Sequence, residues 1–318
     1  MTFYINDEHV GCTVLSFLRS VLKISSSALA GLKNDPIGIL VNDTHVTVRY
    51  VLKKNDILFI NEKDTEVDVN DTILPVPLDV NIIFENNDIM IINKPPYMPT
   101  HPSHGHLDDT LANAIASIYQ SREIPFVFRP IGRLDRNTSG ISMIAKSSIS
   151  ASFLYHARQK ELIEKKYIAI LEGNIAYCDE INKIETYMKR SEDSIIIRCV
   201  ADENEDGAFV AITHWRLLYS NEKISIVEAT PKTGRTHQLR VHFAHIGHPI
   251  LGDDVYGTAS VHIGRHSLHA HSIKIPMPYS NEITEFKAPL PQDMLTALSA
   301  LAPDAINIIT EKINNTKE

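Results

Sequence analysis

The stretch "RPIGRLDRNTSGISMIAKS" places one acid, Asp135, between Arg133 and Arg136, follows it with Asn137-Thr138-Ser139-Gly140, and then runs into an apolar segment. An isolated RLDR tetrapeptide is an ordinary surface ion pair, worth little. Here the turn chemistry, the apolar run and the surrounding charge argue for more. Flanking guanidinium groups favour the ionised form of a carboxylate, a state suited to a nucleophile or base and unsuited to a proton-holding general acid. From Arg122 to Lys166 nine Lys and Arg residues stand against four acids, a local balance of +5, although the whole chain carries -8. "PKTGRTHQLRVHFAHIGHP" adds Lys232, Arg235 and Arg240 with no acid, while acids gather in "NEKDTEVDVND" and between Asp179 and Asp206. Such a local basic face suits phosphate contacts and hence a nucleic-acid partner.

Two histidine clusters invite a metal reading. His104-Gly105-His106-Leu107-Asp108 has the HxHxD order that opens the metallo-β-lactamase-like zinc signature, which would make the protein a zinc hydrolase. The position of the next histidine is Asp109, however, and "LDDTLANAI" reads more simply as a capped helix start. His237, His242, His245 and His248 are interleaved with arginines and have no carboxylate nearby in sequence, which fits a basic groove better than a metal. No metal site is expected.

The elements that must hold these groups follow from periodicity. The chain has 318 residues, 43% of them hydrophobic, enough for two domains with a sizeable core. "TVLSFLRSVLK" and "SSSALAGLKN" read as two short helices, the second capped by serine, and the segment to Ile60 alternates as strands with tight turns at Asn42-Asp43 and Lys54-Asn55-Asp56. An acidic stretch from Asn61 to Asp71 serves as a linker. Beyond it, "VNIIFENNDIMIINKPP" gives two strands about a turn. "GISMIAKS", "KKYIAILEG", "SIIIRCV", "AITHWRLLYS" and "ISIVEATP" give more, with helices at "TLANAIASIYQ" and "SISASFLYHARQKELIE". Most connections are too short for βαβ crossovers, so the expected class is α+β, a mixed and mainly antiparallel sheet with flanking helices. The expected boundaries are 1–70 for a small N-terminal domain and linker, 71–302 for the main domain, and 303–318 for a C-terminal tail. Cys12, Cys178 and Cys199 form no CxxC and read as buried thiols. There is no run of apolar residues long enough for a membrane span, and acids stand where a signal peptide needs a basic flank, so a cytoplasmic location is expected.

Five blocks carry a family resemblance. "IIFENNDIMIINKPPYMPTHP", "RPIGRLDRNTSGISMIAKS", "HARQKELIEKKYIAILEG", "VEATPKTGRTHQLRVHFAHIGHPILGDDVYG" and "LHAHSIKI…FKAPLP", in this order, resemble the RluA-type RNA pseudouridine synthases from about Asn81 to Asp293. Residues 12 to 60 resemble the αL RNA-binding motif shared with a small-subunit ribosomal protein. The resemblance implies a cofactor-independent isomerase acting on structured RNA, ribosomal RNA before transfer RNA, with no DNA or membrane partner. It assigns Asp135 to the catalytic carboxylate, Tyr167 to the tyrosine that packs on the target base, and Arg240 to the cation paired with the catalytic acid. It assigns Arg133 to displacement of the base, and makes Lys94, Arg235, His237 and His242 RNA contacts. The absence of a P-loop or GxGxxG turn agrees with a reaction that needs no nucleotide. A catalytically silent RNA binder on the same scaffold would be expected to lack Asp135, Tyr167 or Arg240, and all three are present.

Two departures stand out. Many relatives have a histidine before the RLD triplet where this chain has Gly132. The N-terminal 60 residues hold six cations against five acids, only +1.

Overall fold

The computed structural model describes residues 1–61, 73–125, 127–175, 182–192, 194, 196–280 and 282–314; the expected acidic linker and Cys178 lie outside them. The N-terminal module contains strand β1 (Thr2–Tyr4), helices α1 (Val14–Ser20) and α2 (Ser26–Asn34), and strands β2 (Ile39–Val41), β3 (Thr44–His45) and β4 (Ile57–Ile60). Thr13 and Ser25 cap the helices through their hydroxyls, and Asn42 and Asp43 take the left-handed conformation that a tight hairpin requires. The four strands pair in the order β1-β4-β2-β3. Phe17, Leu18, Leu29, Leu58 and Ile60 fill the core, and Ile149 from the main domain joins them.

Among the described residues the main sheet has ten strands. Its path runs β10 (Arg198–Ala201), β9 (Asn182–Arg190), β11 (Phe209–Ser220), β12 (Ile224–Pro231), β8 (Glu164–Glu172), β13 (Leu268–Pro276), β7 (Ser139–Ala145), β6 (Ile89–Lys94) and β5 (Asn81–Glu85), with β14 (Ile283–Lys287) beside β13. Among the described pairs only β13 and β7 are parallel, and they meet at two positions, His269 opposite Ser139 and Ala270 opposite Gly140. Gly140 has φ +106°, and a Cβ there would lie 2.2 Å from the Ala270 carbonyl oxygen, so only glycine permits this approach. From Ser272 onward β14 pairs with β13 instead. The expected α+β class, with a mainly antiparallel sheet, is what forms.

Helices cover both faces in alternation with the strand period of two. Ala169 and Leu171 of β8 pack with Leu239 and Phe243 of α5 (Gln238–His245), whereas Ile168 and Ile170 pack with α6 (Gln292–Leu301) and α7 (Ala305–Asn314). Likewise Ile141 and Met143 of β7 face α4 (Ser148–Gln159), and Ile144 faces α3 (Leu111–Ser121). Burial on both faces is why these strands read as unbroken apolar runs. Within the C-terminal segment the described residues form α7, which joins the core with Ala305, Ile309 and Ile313 buried. Cys12 and Cys199 are half-buried rather than buried.

Candidate active site

The loop that carries Asp135 enters β7 and is pinned from below. Lys94, fully buried, donates to the carbonyls of Pro95 (2.9 Å), Met98 (2.8 Å) and Arg136 (3.1 Å). Thr100 Oγ1 donates to the Leu134 carbonyl at 3.1 Å, and the buried Arg265 Nη1 donates to the Asn137 carbonyl at 2.9 Å while its fork grips Asp293. These bonds fix the backbone on each side of Asp135 and leave its half-buried side chain lining a cavity of about 1000 Å³. The cavity lies between α4 and the start of α5.

Tyr167 of β8 lines the same cavity, on the face shared with Ala169 and α5. Burial, then the charge of Asp135, pushes its phenol well above the usual range, with Arg158 opposing. Lys165, two residues earlier, lies over the Tyr167 ring at 5.8 Å, and burial followed by the nearby Arg158 charge pushes it down to about 7. Arg240, buried on α5, is the third lining group. Its Nε and Nη2 donate to the two carboxylate oxygens of Asp253, each at 2.7 Å, and its guanidinium lies 5.0 Å from the centre of the Tyr256 ring. Burial raises the Asp253 carboxyl, but the Arg240 fork and the N–H groups of Val255 and Tyr256 outweigh it and hold the group below the ordinary range. The arrangement is therefore a half-buried carboxylate, an aromatic ring and a fixed guanidinium facing one cation-rich space.

Comparison with known proteins gives the family. The family model for RNA pseudouridylate synthase matches residues 88–245. An uncharacterised RNA pseudouridine synthase of Bacillus subtilis, YjbO, is 36% identical over 273 residues, spanning 86% of this chain and 94% of its own. The ribosomal large subunit pseudouridine synthase D of Borreliella burgdorferi is 32% identical over 83% of this chain and 81% of its own. Human RNA pseudouridylate synthase domain containing 1 superposes with a TM-score of 0.55 at 25% identity, covering 76% of this chain and 96% of that one. The chain belongs to the RluA-type RNA pseudouridine synthases.

The synthase brings together most, but not all, of the residues the sequence singled out. Asp135, Tyr167, Arg240, Arg133, Arg235 and His237 all line the cavity. Arg133 is exposed at the rim, and Arg235 lies over the Phe209 ring at 5.1 Å. His237 sits at a left-handed residue (φ 58°) before α5, with Nδ1 2.8 Å from the Tyr256 hydroxyl; burial lowers its pKa, and the Asp135 charge opposes that shift. Two expected RNA contacts are corrected. Lys94 is a buried brace for the loop that carries Asp135, as described above. His242 is wholly buried, its two nitrogens near Thr213 Oγ1 (2.9 Å) and Thr186 Oγ1 (3.1 Å), and burial lowers it to about 4, so it is a neutral packing residue. The expected partner of Arg240 is corrected as well: the fork grips Asp253, and Asp135 is a charged neighbour within electrostatic reach.

Of the zinc-like triad, His106 Nδ1 is 2.7 Å from Asp109, and neither His104, His106 nor Asp108 lines the cavity. The family membership leaves the zinc hydrolase reading without support. His101, from the same stretch, does line it, and its pKa is lowered by burial and by Arg133.

Residues the sequence reading passed over complete the site. Asp253 and Tyr256 lie in the quoted "GDDVYG", and Lys165 lies in "KKY", so the signal was present without an assigned role. Arg158, at the end of α4, lies in the quoted "HARQKELIEKKYIAILEG", likewise without an assigned role. Its guanidinium reaches between two loops: a Cβ on Gly132 would stand 3.4 Å from Nη1, and one on Gly234 would stand 2.6 Å from Nη2. The space that a side chain at position 132 would enter is thus bordered by an arginine from another element.

Proposed function

We propose that this pseudouridine synthase isomerises specific uridines in ribosomal large-subunit RNA, in the cytoplasm, with Asp135 as the catalytic carboxylate. The observation that carries the reading is the meeting of Asp135, Tyr167 and Arg240 in one cavity with the exposed Arg133 and Arg136 at its rim. The ribosomal assignment rests on the relatives named ribosomal large subunit pseudouridine synthase D.

In this reading the RNA backbone docks on the rim cations, and Arg133 helps displace the target uridine from its stack, which costs a few kcal/mol that pocket contacts must offset. Asp135 acts on the ribose side, either by attack at C1′, where the Asp135–C1′ bond made as N1 leaves is broken again when C5 attacks, or by removal of the 2′ proton, which returns to C2′ as C5 bonds to C1′. The N1–C1′ bond breaks, the uracil turns against Tyr167, and the C5–C1′ bond forms. N1 ends protonated and C5 gives up its proton, so the product has the composition of the substrate and no redox partner enters. Arg240, locked by Asp253, supplies a fixed positive charge near the carboxylate without having to reorganise.

The test is pseudouridine mapping of total RNA from cells lacking the protein, complemented by wild type or by Asp135→Ala. Loss of one or a few ribosomal sites, restored by wild type alone, is the expected result. Restoration by Asp135→Ala would refute the role given to that residue, and changes confined to transfer RNA would refute the substrate.

A further inference from the structure

The cavity around Asp135 holds a cation to which the proposed mechanism gives no work. Gly132, three residues before Asp135, has φ +86°, a conformation in which a side chain would be strained. The space above it is filled from another element. Arg158, at the end of α4, brings Nη1 to 3.4 Å from where a Cβ on Gly132 would stand, and Nη2 to 2.6 Å from where one on Gly234 would stand. Its guanidinium thus lies between the loop that carries Asp135 and the loop that carries Arg235. Arg158 is exposed, lines the cavity, and has no side-chain hydrogen bond or ion pair among the described residues. Of the acids in the cavity walls, Glu164 lies 3.6 Å from Lys166, and neither Glu161 nor Asp135 pairs with Arg158.

The neighbours of this guanidinium make the place attractive to an anion. Arg133 follows Gly132, while Lys232 and Arg235 flank Gly234, and all three are exposed cations in the walls of the same cavity. Like charges gathered on two facing loops repel one another until a negative group arrives. The Arg158 charge is also felt deeper in, at Lys165 and at Tyr167. The anion drawn here therefore belongs to the nucleotide whose base meets Tyr167. We propose that Arg158 is a substrate-binding residue whose guanidinium grips the phosphate joined to the target uridine and so sets the ribose against Asp135. This rests on the reading of the chain as a uridine isomerase. A planar fork of N–H donors with no acceptor matches phosphate oxygens and can engage two of them at once. The phosphate is the anion nearest the ribose, so a fork set between the two loops positions the sugar as well as binding it. The grip comes from α4, because position 132 has no side chain to give.

The test compares wild type with Arg158→Gln, Arg158→Lys and Lys160→Gln, the last an exposed cation two residues on that does not line the cavity. Each full chain is given RNA from cells lacking the protein, and kcat and KM are followed at increasing KCl. Arg158→Gln is expected to lower kcat/KM roughly tenfold and to make the log–log salt slope shallower by about one. Arg158→Lys should recover the slope and only part of the rate, since a point charge replaces the fork. Lys160→Gln should stay within about twofold of wild type, and all three should unfold in urea at the wild-type midpoint. A second arm uses RNA ligated to carry a neutral methylphosphonate on one side or the other of the mapped uridine. One of these should cost wild type about what Arg158→Gln costs on native RNA, and should cost Arg158→Gln less than about twofold more. If Arg158→Gln behaves like Lys160→Gln, or loses rate yet responds to both methylphosphonates as wild type does, Arg158 does not hold that phosphate. The proposal is then wrong and the activity stands. If wild type forms no pseudouridine in the cellular RNA, the reading of the activity fails and the proposal falls with it.

Discussion

The cations above the loop that carries Asp135 and those beneath it do opposite work. Above, Arg133 and Arg136 stand exposed at the cavity rim, with no acid partner for either among the described residues. Beneath, Lys94, Arg240 and Arg265 are buried, and each spends its donors on carbonyls or on a carboxylate. A buried guanidinium cannot serve as a phosphate contact without giving up its internal partner, whereas an exposed one is screened by water until an anion arrives. The contrast teaches that a basic motif is two layers: one layer holds the acid still, and the other waits for the substrate.

The largest effect should come from the acid between the layers. Purified Asp135→Ala is expected to lose between about 10²-fold, if the carboxylate is a base, and about 10⁶-fold, if it is the nucleophile, in kcat. Single-turnover assays on unmodified RNA would measure this, and RNA affinity by filter binding should change little. A variant retaining a tenth or more of the activity would show that the layers hold something other than the reacting group.

The lower layer predicts stability. Asp253→Ala leaves Arg240 charged, buried and without its fork partner, and is expected to cost about 3–5 kcal/mol in urea unfolding. A loss under about 1 kcal/mol would mean that the guanidinium can turn outward, and the distinction between layers would weaken. Lys94 adds a pH signature. Burial, then the Arg265 charge, pushes its pKa from 10.5 down to about 7, so between pH 7 and about 10.5 the unfolded chain binds more protons than the folded one. Stability contributed by this group therefore rises with pH across that window, by at most about 1.4 kcal/mol per pH unit. Lys94→Met should flatten the rise, read as unfolding midpoints at pH 7, 8 and 9; an unchanged slope would assign the pH dependence to other groups.

How much of this was legible differs by layer. The α+β class followed from short connections and period-two runs, and β5 to β8, β11, β12, α3 and α4 fell on quoted segments. β9 was missed because "NKIETYMKR" buries only Ile184 and Met188, with charged residues facing outward, so its apolar signal is thin. Asp135 was legible from the motif around it, and so was the upper layer, since Arg133 and Arg235 are loop residues whose exposure the sequence suggests. The lower layer was not. Lys94 and His242 look like RNA contacts in a basic motif, and only tertiary packing decides that three carbonyls and two threonines claim them instead. The Arg240–Asp253 pair spans thirteen residues from α5 into the following loop, and no spacing rule connects them. Arg158 acts at Gly132 and Gly234 from a third element, a juxtaposition that only the folded chain makes.

The smallest effect, and the sharpest test of the comparison, lies at the rim. Arg133→Ala removes an exposed guanidinium with no partner among the described residues, so its unfolding free energy should stay within about 0.5 kcal/mol of wild type. Its effect should appear only with RNA: a salt slope shallower by about one and a loss in kcat/KM if the group both meets a phosphate and displaces the target base. These two roles separate experimentally. A target uridine already unpaired in a short single-stranded RNA needs no displacement, so there Arg133→Ala should keep the change in salt slope and lose less of the rate than on folded RNA. If Arg133→Ala instead lowered stability as Asp253→Ala does, the arginine would belong to the lower layer despite its exposure, and burial would have failed as the criterion that divides the two.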